Sequence, residues 1–268
     1  MTAGTAARLE RIGTGGRHLI VPMDHGITLG AVDGLVDIES TIDAVTRGGA
    51  DAVLTQKGIA PRVHDNKNDA GYIVHCNGST AIGPDESDKR PTATVEEAIR
   101  AGADAVSFHI NVGSEHEPDQ ITQLSELAAE ADRYGMPLLA MTYARGHDIR
   151  DDDPETFAED LGHAVRLGEE LGADVLKTAY SGTAETFERV VESTRLPVVI
   201  AGGSKGTDEE TLSMVRGAMD AGAAGVSMGR SIFQHDDPEA ITEAVSAVVH
   251  DDASAADAVE RAGLAVEA

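Results

Sequence analysis

Lys177 stands inside an otherwise apolar run, Asp174-Val175-Leu176-Lys177-Thr178-Ala179-Tyr180. A lysine carried into a dry interior loses the hydration of its ammonium, which favours the neutral amine, and a neutral amine attacks a ketone to form an iminium. The plainer role for such a residue is a structural cation paired with a buried carboxylate. Lysine is scarce in this chain, occurring only as Lys57, Lys67, Lys89, Lys177 and Lys205, which weighs toward function. Lys57 competes for the nucleophile's role, but Gly58 follows it at once and puts it at a strand rim. Asp24 ends a second apolar run, Val21-Pro22-Met23-Asp24-His25-Gly26, where a carboxylate would orient substrate hydroxyls or accept a proton, or else cap a loop amide. Tyr143 closes a third run, where a phenol would relay protons or simply pack at a rim. His25, His75 and His109 read as hydrogen-bonding groups rather than metal ligands, because no HxH or HExxH spacing occurs.

Two further runs end in small residues, Val199-Ile200-Ala201-Gly202-Gly203 and Val226-Ser227-Met228-Gly229-Arg230. Either glycine motif could be no more than a tight turn. Together they expose backbone amides at two successive junctions, with Arg230 and Lys205 adding charge, and so favour a phosphate.

These residues need a frame that brings distant positions together. The phrase Gly-Ala-Asp recurs at residues 49–51, 102–104 and 172–174, with a degraded copy, Gly-Ala-Ala, at 222–224. Each copy follows an amphipathic stretch and precedes an apolar run, so the glycine reads as the left-handed cap that ends a helix before a buried strand. Met136-Pro137 and Leu196-Pro197 mark two more strand entries. Strands are expected near 18–24, 51–57, 71–76, 105–112, 137–143, 174–180, 197–201 and 224–229. Their continuous apolarity fits a parallel sheet covered on both faces. Residues 58–70 read as a loop, leaving one helix missing or short. An open doubly wound sheet would carry a glycine-rich nucleotide turn after its first strand, whereas here that strand ends in Asp24-His25-Gly26. The expected fold is therefore α/β, a (β/α)8 TIM barrel, with residues 1–268 forming one catalytic domain. A short N-terminal extension and an Ala/Asp-rich C-terminal helix from about residue 251 flank it. The ring of strand ends would gather Asp24, Lys57, His75, His109 with Asn111, Tyr143 with Arg145, Lys177, Gly202-Gly203 and Gly229-Arg230 at one mouth.

Composition limits the partners. The 268 residues carry 47 acidic against 21 basic side chains, a formal charge of -26, which disfavours nucleic acid and anionic membrane. The acids are dispersed rather than blocked, as on a salt-adapted, halophilic surface rather than an acidic tail. With 41% hydrophobic residues and no long apolar run, the chain has material for a core but none for a membrane span. The N-terminus lacks a signal-peptide core and Cys76 has no internal partner, so a cytoplasmic location is expected.

On the motifs quoted above, together with Ile110-Asn111-Val112-Gly113-Ser114, Leu176-Lys177-Thr178 and Ile232-Phe233-Gln234-His235-Asp236, nearly the whole chain resembles the archaeal class I aldolase family. It is most similar to that family's synthase branch. The fructose-bisphosphate aldolase branch carries a Glu-His-Gly-Pro phrase where this chain has Ile27-Thr28-Leu29-Gly30. The resemblance implies Lys177 as the Schiff-base residue, Tyr143 as proton donor and Asp24 as proton acceptor. It implies His25 and Arg145 as substrate-binding groups, with phosphate on Gly202, Gly203, Gly229 and Arg230. It further implies a transaldol transfer from a phosphorylated deoxy-ketohexose to aspartate semialdehyde, opening an alternative route to 3-dehydroquinate and the aromatic amino acids. Neither a cofactor nor a metal would be needed, and a homo-oligomer is expected. Fructose-1,6-bisphosphate aldolase, a metal-dependent aldolase and a non-catalytic phosphosugar-binding barrel are the competing functions. Ala144 and Ser204 depart from the synthase pattern, which has proline at both places.

Overall fold

A computed structural model describes residues 1–203 and 206–264. Ser204, Lys205 and the end of the C-terminal segment thus lie outside the described residues. Eight parallel strands close into a barrel in chain order. They are β1 (His18–Pro22), β2 (Ala52–Gln56), β3 (Gly71–His75), β4 (Ala105–Val112), β5 (Leu138–Ala144), β6 (Val175–Thr178), β7 (Val198–Ala201) and β8 (Gly225–Ser227). All eight fall within or beside the expected runs.

The helices among the described residues are α1 (Ala3–Leu9), α2 (Gly26–Leu29), α3 (Ile38–Arg47), α4 (Ala60–Asn66), α5 (Val95–Arg100), α6 (Glu117–Tyr134), α7 (Pro154–Glu170), α8 (Ala184–Glu192), α9 (Asp208–Asp220), α10 (Arg230–Phe233), α11 (Pro238–Asp251) and α12 (Ala255–Ala262). Most begin where a side chain accepts an orphan backbone hydrogen. Thr94 and Thr207 form capping boxes with Glu97 and Glu210 before α5 (Val95–Arg100) and α9 (Asp208–Asp220), and Asp153 caps α7 (Pro154–Glu170). The repeated glycines Gly49, Gly102, Gly172 and Gly222 all have positive φ, as expected of helix-ending residues. The aspartates of the repeat tie each strand to its neighbour at the barrel floor. Asp51, Asp104 and Asp174 accept the backbone N–H of Leu19, Tyr72 and Leu138 at 2.6, 2.9 and 3.0 Å.

Residues 58–70 differ from the loop expected. A 3-10 turn (Lys57–Ile59) leads into a short helix, α4 (Ala60–Asn66). Pro61 lies in the first turn of that helix, where the missing N–H costs nothing, so it starts the helix rather than breaking it. The N-terminal helix α1 (Ala3–Leu9) leads to Leu9 and Ile12, which plug the floor, and Ala255–Ala262 forms the helix α12 expected near the C-terminus. Between β3 and α5 the chain makes a long excursion over the mouth, with Asn77–Gly78 paired to Arg90–Pro91. Among the described residues no helix is long and apolar enough to cross a membrane.

Apolar side chains of alternate parity fill two separate cores. Leu19, Val21, Leu176 and Ile200 point outward to the helices, while Ile20, Leu54, Ile73, Leu139, Val175 and Val199 fill the barrel. A strand's period of two then decides which polar residues can share the interior.

Candidate active site

Counting two residues up from interior positions gives the site. Ile73 leads to His75, Leu139 through Met141 to Tyr143, and Val175 to Lys177, so these side chains rise into the mouth at the strands' C-terminal ends. There they line a cleft of about 490 Å³, within the range that holds small substrates.

Lys177 is paired in register with Met141 and Val199 and is 6% exposed. Its amine has neither a hydrogen-bond partner nor a carboxylate within 4 Å among the described residues. It points into the barrel interior, and no structural ion pair among the described residues accounts for it there.

Asp24 faces this amine from the end of β1. Burial alone would raise its pKa, but His75, His25 and Lys177 outweigh that and hold the carboxyl below its ordinary value. His75 Nε2 lies 3.6 Å from Asp24 Oδ2, and His25 Nδ1 lies 3.7 Å from Oδ1. Ser107 donates its hydroxyl to His75 Nδ1 at 2.8 Å in the tautomer whose Nε2–H faces Asp24. Burial pushes His75 down to about 4 and also lowers His25, against the pull of Asp24, so both rings stay neutral around an ionised carboxylate.

Across the cleft, the His109 and Tyr143 rings lie 4.9 Å apart, and the Arg145 guanidinium sits 4.5 Å above the Tyr143 ring. His109 donates from Nε2 to Asn111 Oδ1 at 2.8 Å; burial, with Lys89 and Arg145 nearby, holds it well below its usual value.

Gly202, Gly203, Gly229 and Arg230 line the cleft at β7 and β8. A Cβ at Gly229 would meet His25 Cε1 at 2.5 Å and the Pro22 carbonyl oxygen at 2.8 Å, so that position needs glycine, while one at Gly202 would press on Ser231 Oγ at 2.6 Å. The buried hydroxyls of Ser227 and Ser231 have no partner among the described residues, and that of Ser227, which lines the cleft, leaves a donor for a ligand's oxygen.

Two members of the expected ring do not line the cleft: Asn111 is buried behind His109, and Lys57 leaves the ring altogether. It continues past Gln56 with the opposite parity and pairs with Glu97 at 2.6 Å, away from the cleft. In its stead the excursion brings in Lys89, 7% exposed and lining the mouth. Nothing local marks that residue, since Asp88-Lys89-Arg90 reads as a solvated charge run. Ser227 did leave a signal, as a polar residue at an interior-parity position of an apolar strand. Among the described residues no group of three His, Cys, Asp or Glu side chains is placed to hold a metal ion.

A closed parallel barrel with an unpartnered interior lysine, flanked by an ionised carboxylate and a phenol, is the framework of a class I aldolase-type Schiff-base enzyme. The chain belongs to the DeoC/LacD family of aldolases, whose family model matches residues 18–235. It is 67% identical over 266 residues, 99% of each chain, to 2-amino-3,7-dideoxy-D-threo-hept-6-ulosonate synthase of Halobacterium salinarum. It is 38% identical to 2-amino-4,5-dihydroxy-6-oxo-7-(phosphonooxy)heptanoate synthase of Streptomyces griseus, covering 94% of this chain and 92% of that one. An archaeal fructose-1,6-bisphosphate aldolase, solved with its catalytic lysine bound to the carbinolamine intermediate of the substrate, superimposes with a TM-score of 0.84. The two are 30% identical, over 91% of this chain and 99% of that one.

Proposed function

We propose that this chain transfers a three-carbon fragment of 6-deoxy-5-ketofructose 1-phosphate to L-aspartate semialdehyde, forming 2-amino-3,7-dideoxy-D-threo-hept-6-ulosonate. That reaction opens an alternative route to 3-dehydroquinate and the aromatic amino acids, and it belongs in the cytoplasm. One observation carries the mechanism: Lys177 is buried without a partner among the described residues, facing Asp24, in a chain 67% identical to such a synthase.

The Lys177 amine adds to the donor ketone and water leaves, giving an iminium. A base takes the proton of the hydroxyl on the far carbon of the breaking bond, that carbon becomes an aldehyde, and the bonding pair neutralises the iminium as an enamine. The enamine carbon attacks the acceptor aldehyde, whose oxygen gains a proton, and hydrolysis frees the product. Asp24, kept ionised by its surroundings, is the proposed proton acceptor, and Tyr143 the proposed donor. His25 and Arg145 are the proposed substrate contacts. Gly202, Gly203, Gly229 and Arg230, with the Ser227 hydroxyl, are the proposed phosphate contacts, suited to a donor whose C2 carbonyl meets the lysine; the 7-deoxy product named above requires attack at C5, which carries the phosphate away from them. Supplying the donor with either aspartate semialdehyde or glyceraldehyde 3-phosphate tests this reading: turnover is expected with the first. A clear preference for the second would make the chain a fructose-1,6-bisphosphate aldolase.

A further inference from the structure

The proposed donor is a diketone, with carbonyls at C2 and C5, and the C3–C4 bond is the one broken whichever carbonyl meets the lysine. Attack at C2 keeps the phosphorylated carbons C1–C3 on the enzyme. Attack at C5 keeps the methyl-bearing carbons C4–C6 and releases the phosphorylated half as an aldehyde. After condensation with aspartate semialdehyde, the first yields a 7-phosphonooxy product and the second a 7-deoxy product. These are the two products named for the Streptomyces griseus and Halobacterium salinarum relatives. For this donor, the end that meets the lysine therefore decides which of the two products forms.

The cleft has an anion-binding feature at each side. The glycine motifs sit on β7 and β8, alongside Lys177 on β6, and suit a phosphate one carbon from the Schiff base. Lys89 hangs from the excursion between β3 and β4, on the opposite side of the ring of strands, with Arg145 at the end of β5. Lys89 donates to Ser79 Oγ at 2.9 Å, and Ser79 in turn donates to the Glu86 carbonyl at 2.6 Å, so its position is braced. Neither Lys89 nor Arg145 has a carboxylate within 4 Å among the described residues, although acids outnumber bases 47 to 21 in this chain. Burial lowers the Lys89 pKa, Glu86 and Asp24 oppose that, and Arg145 adds to it, so Lys89 and Arg145 stand close enough to act on one anion at the cleft they both line.

We propose that Lys89, with Arg145, is a second anion pole that holds the phosphate end of the donor away from Lys177, so that C5 is attacked, and then receives the carboxylate of the incoming aldehyde. The bond made replaces the bond broken, so the departing and arriving aldehydes use one subsite and present their anions to the same cations. Lys89 is thereby a specificity-determining residue of the reaction proposed above, and the assignment rests on that reading.

The test uses Lys89→Gln, which keeps a donor for Ser79, and Lys89→Arg, which keeps the charge. Wild-type enzyme, given donor and borohydride, is expected to carry the deoxy three-carbon adduct by mass. Lys89→Gln should shift the adduct toward the phosphorylated fragment and raise KM for aspartate semialdehyde by about tenfold or more, the effect of losing a charged hydrogen bond. Its KM for propanal, which lacks a carboxylate, should stay unchanged, and Lys89→Arg should recover most of the wild-type pattern. An unaltered adduct ratio with an unaltered KM for aspartate semialdehyde in Lys89→Gln would overturn the second pole while leaving the synthase reading standing. A wild-type enzyme that traps no donor would instead sink the synthase reading itself.

Discussion

Replacing Lys177 by Met separates a catalytic lysine from a structural one, because the two roles predict opposite balances of stability and turnover. Met has a similar unbranched volume and would lie between Met141 and Val199, both apolar and both in register with it. Were Lys177 one half of a buried ion pair, the change would strand its partner at a cost of about 3–5 kcal/mol. At roughly 2–4 °C per kcal/mol for a domain of this size, Tm would fall by about 10 °C. The amine has no such partner among the described residues. What the variant loses is one of the three neighbours that hold the Asp24 carboxyl down, and what it gains is apolar packing between Met141 and Val199 in place of a polar amine at the cleft. The two oppose each other, so Tm should move by no more than a few degrees. Turnover should fall about 10⁴-fold or more, since without the amine there is no iminium to take the bonding pair. Calorimetry, steady-state turnover and mass spectrometry after borohydride trapping read the three quantities. A Tm fall near 10 °C with activity tracking the folded fraction would restore the structural role. An active Lys177→Met enzyme, or a reduced adduct on Lys57 or Lys89, would refute the assignment outright.

Tyr143→Phe should still trap donor with borohydride but turn over about 10²-fold to 10⁴-fold more slowly, as for a lost general acid; unchanged kcat would remove Tyr143 from proton transfer. Arg230→Ala should weaken trapping of dihydroxyacetone phosphate, whose phosphate adjoins its ketone, by about tenfold, and leave trapping of dihydroxyacetone unchanged; equal effects on both would argue against phosphate at β7 and β8. His75 is neutral in the fold with its pKa lowered from 6.5 to about 4, so the unfolded chain binds the extra proton first. Its contribution is fully present above pH 6.5, falls as pH drops toward 4 and amounts to about 3 kcal/mol; urea titrations of His75→Gln should lack that part of the acid sensitivity. The charge of -26 makes self-repulsion the main electrostatic cost of the compact state, and about 1 M salt shortens the screening length from about 10 Å to about 3 Å. Tm should therefore rise steeply with potassium chloride, and a salt-independent Tm would discard the halophilic reading of the surface.

What could be read from the residues alone follows from where each sits. Strand positions were legible because a period of two leaves a side chain only two directions. Once the closed barrel assigns Val175 to the interior, Lys177 must join it, and Lys57, one step past Gln56, must not, although the sequence alone gathers it into the ring. The repeated glycines were legible for a similar reason, since a residue that ends a helix and starts a strand needs a left-handed turn. Their companion aspartates were not, because a carboxylate that accepts an amide from the adjacent strand is defined only when the barrel closes. Lys89 is the sharpest case. Its burial comes from the excursion folding back on itself and on distant elements. Gln120 on helix α6 (Glu117–Tyr134) donates to the Ser87 carbonyl at 2.6 Å, Asn111 donates to the same oxygen at 3.3 Å, and Thr28 after β1 donates to the Ser79 carbonyl at 3.0 Å. Each contact joins residues more than twenty apart, so no local window of sequence contains the cause. The groups proposed for bond making and breaking therefore lie on strands, where pattern reveals them. The group proposed to choose between two ends of a substrate lies on an insertion, where it could change between relatives without disturbing the barrel that holds Lys177.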